Sequence, residues 1–234
     1  MNSSLLVLWD IDHTLIETGD VGREVFARAF EEVTGRAMGE MADPSGLTEP
    51  VVFERTLELH GLADHGELFP RFEQAQAAAY RERADGLRSR GRVLPGALEA
   101  LRSLSARPDV VSSVLTGNPR LSAIAKLQIF ELDTYVDLDC GAFGSDNPDR
   151  AALVHLAWQR ARTHHGQEFG PLNTVIVADT PKDVAAAQAN GVYVAGVATG
   201  GFTEAQLRDA GANAVLPDLT VFPRLQALID RGQA

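Results

Sequence analysis

Cysteine is almost absent: Cys140 stands alone in 234 residues. An internal disulfide is impossible and a multi-thiolate metal cluster within one chain is excluded, which suits a reducing compartment. Basic residues are outnumbered, 21 against 32 acidic, for a formal net charge of −11. That balance argues against a general nucleic-acid or anionic-membrane binder, since those present basic surfaces. An anionic substrate would need positive charge supplied locally. Long apolar runs are missing as well. The first, Leu5–Trp9, is too short for a signal-peptide core or a membrane span and is followed at once by acids, so a cytoplasmic location is expected. The six histidines show no HExxH-type spacing, and a zinc site is not expected.

What the chain has instead is alternation. Short apolar, β-branched runs recur at Leu5–Trp9, 110–115, 135–138, Thr174–Ala178, 192–197 and Ala214–Leu216, and each reads as a strand. Helical patterns at 96–105, 121–130, 149–163 and 181–190 separate most of them; Pro181 suits a first helical position and Gly191 a position just past the end. Strand alternating with helix predicts an α/β protein with a Rossmann-like, doubly wound parallel sheet. One interval departs from this rhythm. Between Leu15 and about Arg92 no strand is expected, and helices are predicted at Val21–Thr34, 51–60 and 67–85, with the loop MADPSGLTEP as a turn among them. The predicted organisation is a core from 1–15 and 92–234 with a helical insertion from 16 to 91.

The stretch LLVLWDIDHTL drives a buried strand into two carboxylates, Asp10 and Asp12. Alternation along a strand would place both on one side. Two anions there repel; the pair is tolerable if the strand simply ends in water, or useful if a cation and a substrate come between the carboxylates. In an open parallel sheet, ligands sit beyond the carboxyl ends of the strands. The residues ending the predicted strands are Asp10 and Asp12, then Thr116-Gly117-Asn118, then GAFGSD leading to Arg150, then Asp179-Thr180 with Asp183 following.

DIDHTL, VLTGN and VIVADTPKD resemble motifs I, II and IV of the haloacid dehalogenase superfamily, in the order its phosphatases use, over nearly the whole chain. Asp10, Asp179 and Asp183 suit a hard divalent cation such as Mg²⁺. The resemblance implies that Asp10 is a nucleophile forming an aspartyl-phosphate and that the Asp12 backbone carbonyl joins the metal shell. It further implies that the Asp12 side chain serves as general acid and base. Thr116 with the amides of Gly117 and Asn118 can bond phosphoryl oxygens, although Thr116 could equally cap the helix that follows. The family also places a cation, often in a Lys-Pro pair, between motifs II and IV. No such pair occurs here; Arg150 is the preferred stand-in and Lys126 its rival. His13 stands where glycine is common in motif I, as either a second acid/base or a structural turn residue.

Within the superfamily, the insertion resembles the helical cap of phosphoglycolate-phosphatase-like enzymes, and GLTEP (46–50) resembles the cap loop that faces the site. Thr48 therefore joins the expected substrate-binding residues; Glu49 stands where the family often has Asp. Arg55 or Arg23 could meet a substrate carboxylate. The absence of any lysine from 16 to 91 disfavours imine-based phosphonate hydrolysis, and the presence of Asp12 disfavours a dehalogenase. The resulting expectation is a Mg²⁺-dependent phosphatase acting on a small phosphorylated metabolite, with phosphoglycolate as the nearest example, and with no nucleic-acid or membrane partner. A sugar phosphomutase of the same superfamily and a non-enzymatic phosphate-binding or phosphoacceptor domain are the alternatives.

Overall fold

The structure, a computed structural model, describes residues 4–63 and 66–230. β1 (Leu5–Trp9) is followed by the two-residue β2 (Ile16–Glu17), and then by four helices: α1 (Val21–Thr34), α2 (Glu49–Leu59), α3 (Leu68–Glu82) and α4 (Ala84–Arg90). β3 (Arg92–Val93) closes that excursion by pairing antiparallel with β2. The remainder alternates: α5 (Ala97–Ser105), β4 (Val110–Thr116), α6 (Arg120–Ile129), β5 (Ala142–Phe143), α7 (Arg150–His165), β6 (Thr174–Ala178), α8 (Pro181–Ala189), β7 (Tyr193–Val197), α9 (Glu204–Asp209), β8 (Ala214–Leu216) and α10 (Phe222–Asp230).

Six strands form one parallel sheet in the order β5-β4-β1-β6-β7-β8. The chain builds outward from β1 to β4 and β5, then returns to β6 on the other side, so the carboxyl end of β1 is the topological switch point. Both faces of the sheet are covered, as the unbroken apolar character of β1 requires. Val7 and Trp9 point into one layer with α5, α6 and α10, through Leu101, Leu127 and Phe222. Leu6 and Leu8 point into the other with α7, α8 and α9, through Leu153, Val184 and Leu207.

The helical insertion has its own apolar centre, in which Phe26 and Phe72 lie 4.8 Å apart and Phe53 and Phe72 lie 4.3 Å apart between ring centroids. A second cluster ties it to the sheet layer: Val25, Tyr80 and Leu87 pack on Ala125 and Ile129 of α6. No helix among the described residues is long and apolar enough to cross a membrane.

Three expectations need correction. The strand expected at 135–138 is not one; Asp133–Tyr135 is a 3₁₀ turn, and the partner of β4 is Ala142–Phe143. Gly141 lets this segment approach β4 closely, since a Cβ there would lie 2.8 Å from Val114 Cγ2. The helix expected over 67–85 breaks at Arg83, whose backbone (φ −101°, ψ 19°) has left helical geometry. Finally, β2 and β3 are too short to leave a period in the sequence, yet they form the ribbon through which the insertion leaves and rejoins the sheet.

Candidate active site

Asp10 continues the sheet ladder by one bond, its amide donating to Val177 O at 2.9 Å. The chain then turns sharply: Leu15 N and Ile16 N both donate to Ile11 O, at 2.9 and 3.1 Å. The two acids therefore do not share a strand face. Asp10 stays over the sheet end, while Asp12 sits in the turn and aims toward α6. His13 closes that turn with φ +59°, a left-handed conformation that glycine adopts freely and that histidine adopts at a cost.

Around Asp10, the ends of β6 and α8 bring Asp179 and Asp183 into a cluster in which one carboxylate oxygen from each of the three acids lies within 4.8 Å of the others. All three are buried. Thr180 caps α8, accepting from the Asp183 amide at 3.2 Å and donating to Asp183 Oδ2 at 2.5 Å. Burial, with Asp183 and Asp12 nearby, pushes the Asp10 carboxyl up to about 7 against the opposing pull of Arg150. Burial and the neighbouring Asp10 and Asp183 push Asp179 up to about 9. Arg150, at the first turn of α7, reaches in from the side: Nη2 donates to Asp10 Oδ1 at 3.3 Å, and Nε lies 2.9 Å from Asp183 Oδ1. The latter pair is ionic only; neither atom has a hydrogen-bond partner.

A buried carboxylate oxygen without a hydrogen bond is costly, and three mutually repelling acids around it are costlier. An all-oxygen donor set of this kind fits a hard divalent cation, with Asp10, Asp179 and Asp183 as its carboxylates. The Asp12 side chain lies outside that set.

Asp12 belongs to a second set. Lys126 Nζ donates to its Oδ1 and Oδ2 at 3.0 and 2.8 Å, and Asn118 Nδ2 donates to Oδ2 at 2.7 Å. Burial works to raise the Asp12 carboxyl, but the Lys126 charge and these hydrogen bonds outweigh it and hold it below the usual range. Lys126 is itself buried, and its pKa is raised: burial opposes the charge, and Asp12, Tyr80 and Glu49 together more than compensate. It also donates to Asn118 Oδ1 at 2.6 Å and lies 5.1 Å from the Tyr80 ring centroid. Thr116 Oγ1 accepts from the Asn118 amide and side chain at 3.3 and 2.8 Å, which leaves the hydroxyl proton for an incoming acceptor.

These two sets line one cavity of about 580 Å³ between the sheet end and the insertion. Asp10, Asp12, Thr116, Gly117, Asn118, Lys126, Arg150 and Asp179 all face it; Asp183 stands behind, through Arg150. The insertion supplies Arg23, Phe26, Leu47, Glu49, Val52 and Tyr80. Thr48 is not brought to the cavity: it is buried at the start of α2, and its hydroxyl donates to Pro148 O at 3.1 Å. Arg55 is exposed and also lies away from it. Gly117 allows the insertion to close, because Glu49 N donates to its carbonyl at 2.8 Å and a Cβ there would lie 2.7 Å from Leu47 O.

Three contributors were not singled out from sequence. Gly200, in the turn after β7, packs so tightly that a Cβ would lie 1.9 Å from Asp179 Oδ2. A Gly-Gly pair ending a predicted strand at the same sheet edge was the available signal. Gln76 and Tyr80 lie on one face of α3, four residues apart, and nothing in the alanine-rich QAQAAAY distinguishes a cavity face from a packing face.

Known proteins resemble this chain in sequence and in fold. A phosphoglycolate phosphatase from Cupriavidus necator is 28% identical over 225 residues, covering 94% of this chain and 91% of the relative. A hydrolase structure from Pseudomonas syringae superposes with a TM-score of 0.69 at 19% identity, covering 97% of this chain and 99% of that one. One from Thermotoga maritima, provisionally described as a β-phosphoglucomutase, gives 0.61 at 20% identity, with 96% and 99% covered. The family model of the haloacid dehalogenase-like hydrolases matches residues 7–188, and the chain belongs to that family.

Proposed function

We propose that the protein is a Mg²⁺-dependent phosphomonoester phosphatase working through phospho-Asp10. The observation that carries this reading is the division of two acids, two residues apart, between opposite partners: Asp10 with Arg150 and the acid cluster, Asp12 with Lys126 and Asn118. A nucleophile must stay close to a cation and the phosphoryl group, whereas a general acid/base must reach the leaving oxygen.

In this reading an Asp10 oxygen bonds to phosphorus as the bond from phosphorus to the ester oxygen breaks, and Asp12 passes a proton to that oxygen. Because Lys126 holds Asp12 as a carboxylate, the proton arrives with the substrate, whose phosphate has a second pKa near ~6. Asp12, ionised again, then takes a proton from the water that attacks the phospho-Asp10, releasing inorganic phosphate and the Asp10 carboxylate. Arg150, the Thr116 hydroxyl and the Gly117 amide hold the phosphoryl oxygens, while the Asn118 amide is engaged by Thr116 Oγ1. Asp10, Asp179, Asp183 and the Asp12 carbonyl would hold a Mg²⁺, whose charge would offset the repulsion between the attacking carboxylate and the phosphate.

The reading treats residues 16–91 as a cap that excludes bulk water over a core formed by the rest of the chain. The partner is a small phosphorylated metabolite in the cytoplasm. The test is phosphate release from a panel of small esters, with Mg²⁺ and with EDTA, for wild type and Asp10→Asn. Magnesium-dependent release lost in the variant supports it, and no release from any ester refutes it.

A further inference from the structure

The leaving-group side of the cavity is defined by a chain of hydrogen bonds that runs from the sheet layer into the insertion. Ser122 and Lys126 lie one turn apart on α6, and Gln76 and Tyr80 lie one turn apart on α3, so the two helices meet as matched pairs. Ser122 Oγ donates to Gln76 Oε1 at 2.6 Å, and Lys126 sits over the Tyr80 ring. Gln76 is buried, its amide orientation fixed by Ser122, and its Nε2 donates to Glu49 Oε1. Glu49 is therefore a positioned carboxyl lining the cavity beside Asp12 and Lys126.

The charges on this side are unevenly matched. Lys126 is committed to both oxygens of Asp12 and to Asn118 Oδ1. Around it the insertion contributes one carboxyl, Glu49, and the apolar surfaces of Phe26, Leu47 and Val52. The one cation that the insertion brings to the cavity, among the described residues, is Arg23, which is exposed, donates to Gly39 O at 3.5 Å, and works through solvent. A substrate carboxylate entering here meets two acids and no uncommitted buried cation. A hydroxyl or ammonium meets acceptors.

We propose that Glu49 sets specificity, selecting phosphate esters whose alcohol carries a hydrogen-bond donor, a hydroxyl or an amine, and rejecting those that carry a carboxylate. This rests on the phosphatase reading of the same site. Burial pushes the Glu49 carboxyl above its ordinary value against the pull of Lys126, and Gln76 holds it as a hydrogen-bond acceptor; a substrate carboxylate set against it in a partly enclosed cavity, with no uncommitted cation, is disfavoured enough to give tenfold discrimination or more.

The test uses four esters of nearly equal size: 2-hydroxyethyl phosphate, 2-aminoethyl phosphate, ethyl phosphate and phosphoglycolate. The kcat/KM of wild type with Mg²⁺ is measured for each, and binding of each to Asp10→Asn by calorimetry. The expected order places the hydroxyl and amine esters at least tenfold above phosphoglycolate, with ethyl phosphate between. Glu49→Gln, checked for folding by its melting curve, narrows the gap by raising phosphoglycolate relative to the others. Phosphoglycolate turned over or bound as well as the hydroxyl ester overturns the specificity proposal while leaving the phosphatase reading intact. Absence of turnover with the same order preserved in binding overturns the phosphatase reading alone. Neither turnover nor binding of any ester overturns both.

Discussion

Lys126 holds both carboxylate oxygens of Asp12, at 2.8 and 3.0 Å, while Asp10, two residues earlier in the chain, faces Arg150 at 3.3 Å. The two cations considered as rivals from sequence thus serve different acids. Lys126→Met keeps most of the side-chain volume and removes the charge. It leaves Asp12 without its main counter-charge, so the Asp12 carboxyl rises toward and above its ordinary value. We expect kcat to fall by about 10²-fold, with the acid limb of the pH–rate profile displaced to higher pH. Stability falls by less than the ~3–5 kcal/mol of a fully buried broken pair, because Asp12 keeps partial contact with water. A rate profile and a melting curve check both; an unmoved acid limb would remove Lys126 from the control of Asp12.

Asp10→Asn separates chemistry from folding. The amide cannot form the acyl phosphate, so turnover should drop to background. The same change deletes one of three crowded carboxylates, so the metal-free variant at pH 8 should melt higher than wild type. A variant that keeps substantial activity would refute Asp10 as the nucleophile, and one that melts lower would show that the cluster is not repulsive.

The raised carboxyls also predict a pH dependence of stability. Asp10 and Asp179 titrate near 7 and 9 in the folded chain, against an ordinary value of 3.8. The folded state therefore binds more protons than the unfolded one between these values. Their contribution to stability is complete below about pH 4 and is lost as pH rises through about 7 and then 9. The metal-free protein should thus lose melting temperature from pH 5 to pH 9. A Mg²⁺ held by this cluster would replace those protons, so its stabilisation should grow with pH over the same window. Melting curves with Mg²⁺ and with EDTA at pH 5, 7 and 9 test this; an increment that does not change with pH would count against the acid cluster as the cation site.

His13 distinguishes its two readings by a substitution. At φ +59° a histidine is strained by about 1 kcal/mol relative to glycine, and its backbone carbonyl, not its ring, accepts the bond from Thr199 Oγ1. His13→Gly should keep activity within about twofold and leave stability unchanged or slightly higher, once glycine's greater unfolded-state entropy is subtracted. A large loss of kcat would instead make the imidazole a participant in the chemistry.

The legible and illegible parts of this protein divide along physical lines. Asp10, Thr116, Arg150 and Asp179 were readable because each ends a strand or opens a helix on one sheet edge, and alternation of strand and helix fixes that edge. The common strand face expected for Asp10 and Asp12 did not hold, because the turn that closes on the Ile11 carbonyl is a local hydrogen-bonding choice with no apolar period. Thr48 was misplaced for a related reason: resemblance located its loop, but which side of the loop faces the cavity depends on its docking against Pro148 and Gly117. The strand at Ala142–Phe143 was missed because two residues cannot display a period of two, whereas the apolar run at 135–138 could imitate one.

Gly200 gives the last test, and it depends on packing alone. The turn after β7 carries it against Asp179, where a Cβ would lie 1.9 Å from Oδ2 and 3.1 Å from the His13 Cβ. Such contacts cannot be absorbed by a flexible chain end, because Asp179 is itself fixed at the end of β6 and buried. In Gly200→Ala either the turn or the Asp179 carboxyl must move by more than an ångström. A displaced Asp179 no longer converges with Asp10 and Asp183, so the Mg²⁺ concentration for half-maximal activity should rise at least tenfold. A loss of roughly 1–3 kcal/mol in stability is expected alongside. Gly201→Ala, one residue on, has open space at its Cβ and serves as the control, with near-normal metal dependence. If both variants behave alike, the effect belongs to the turn's backbone and not to the seat of Asp179.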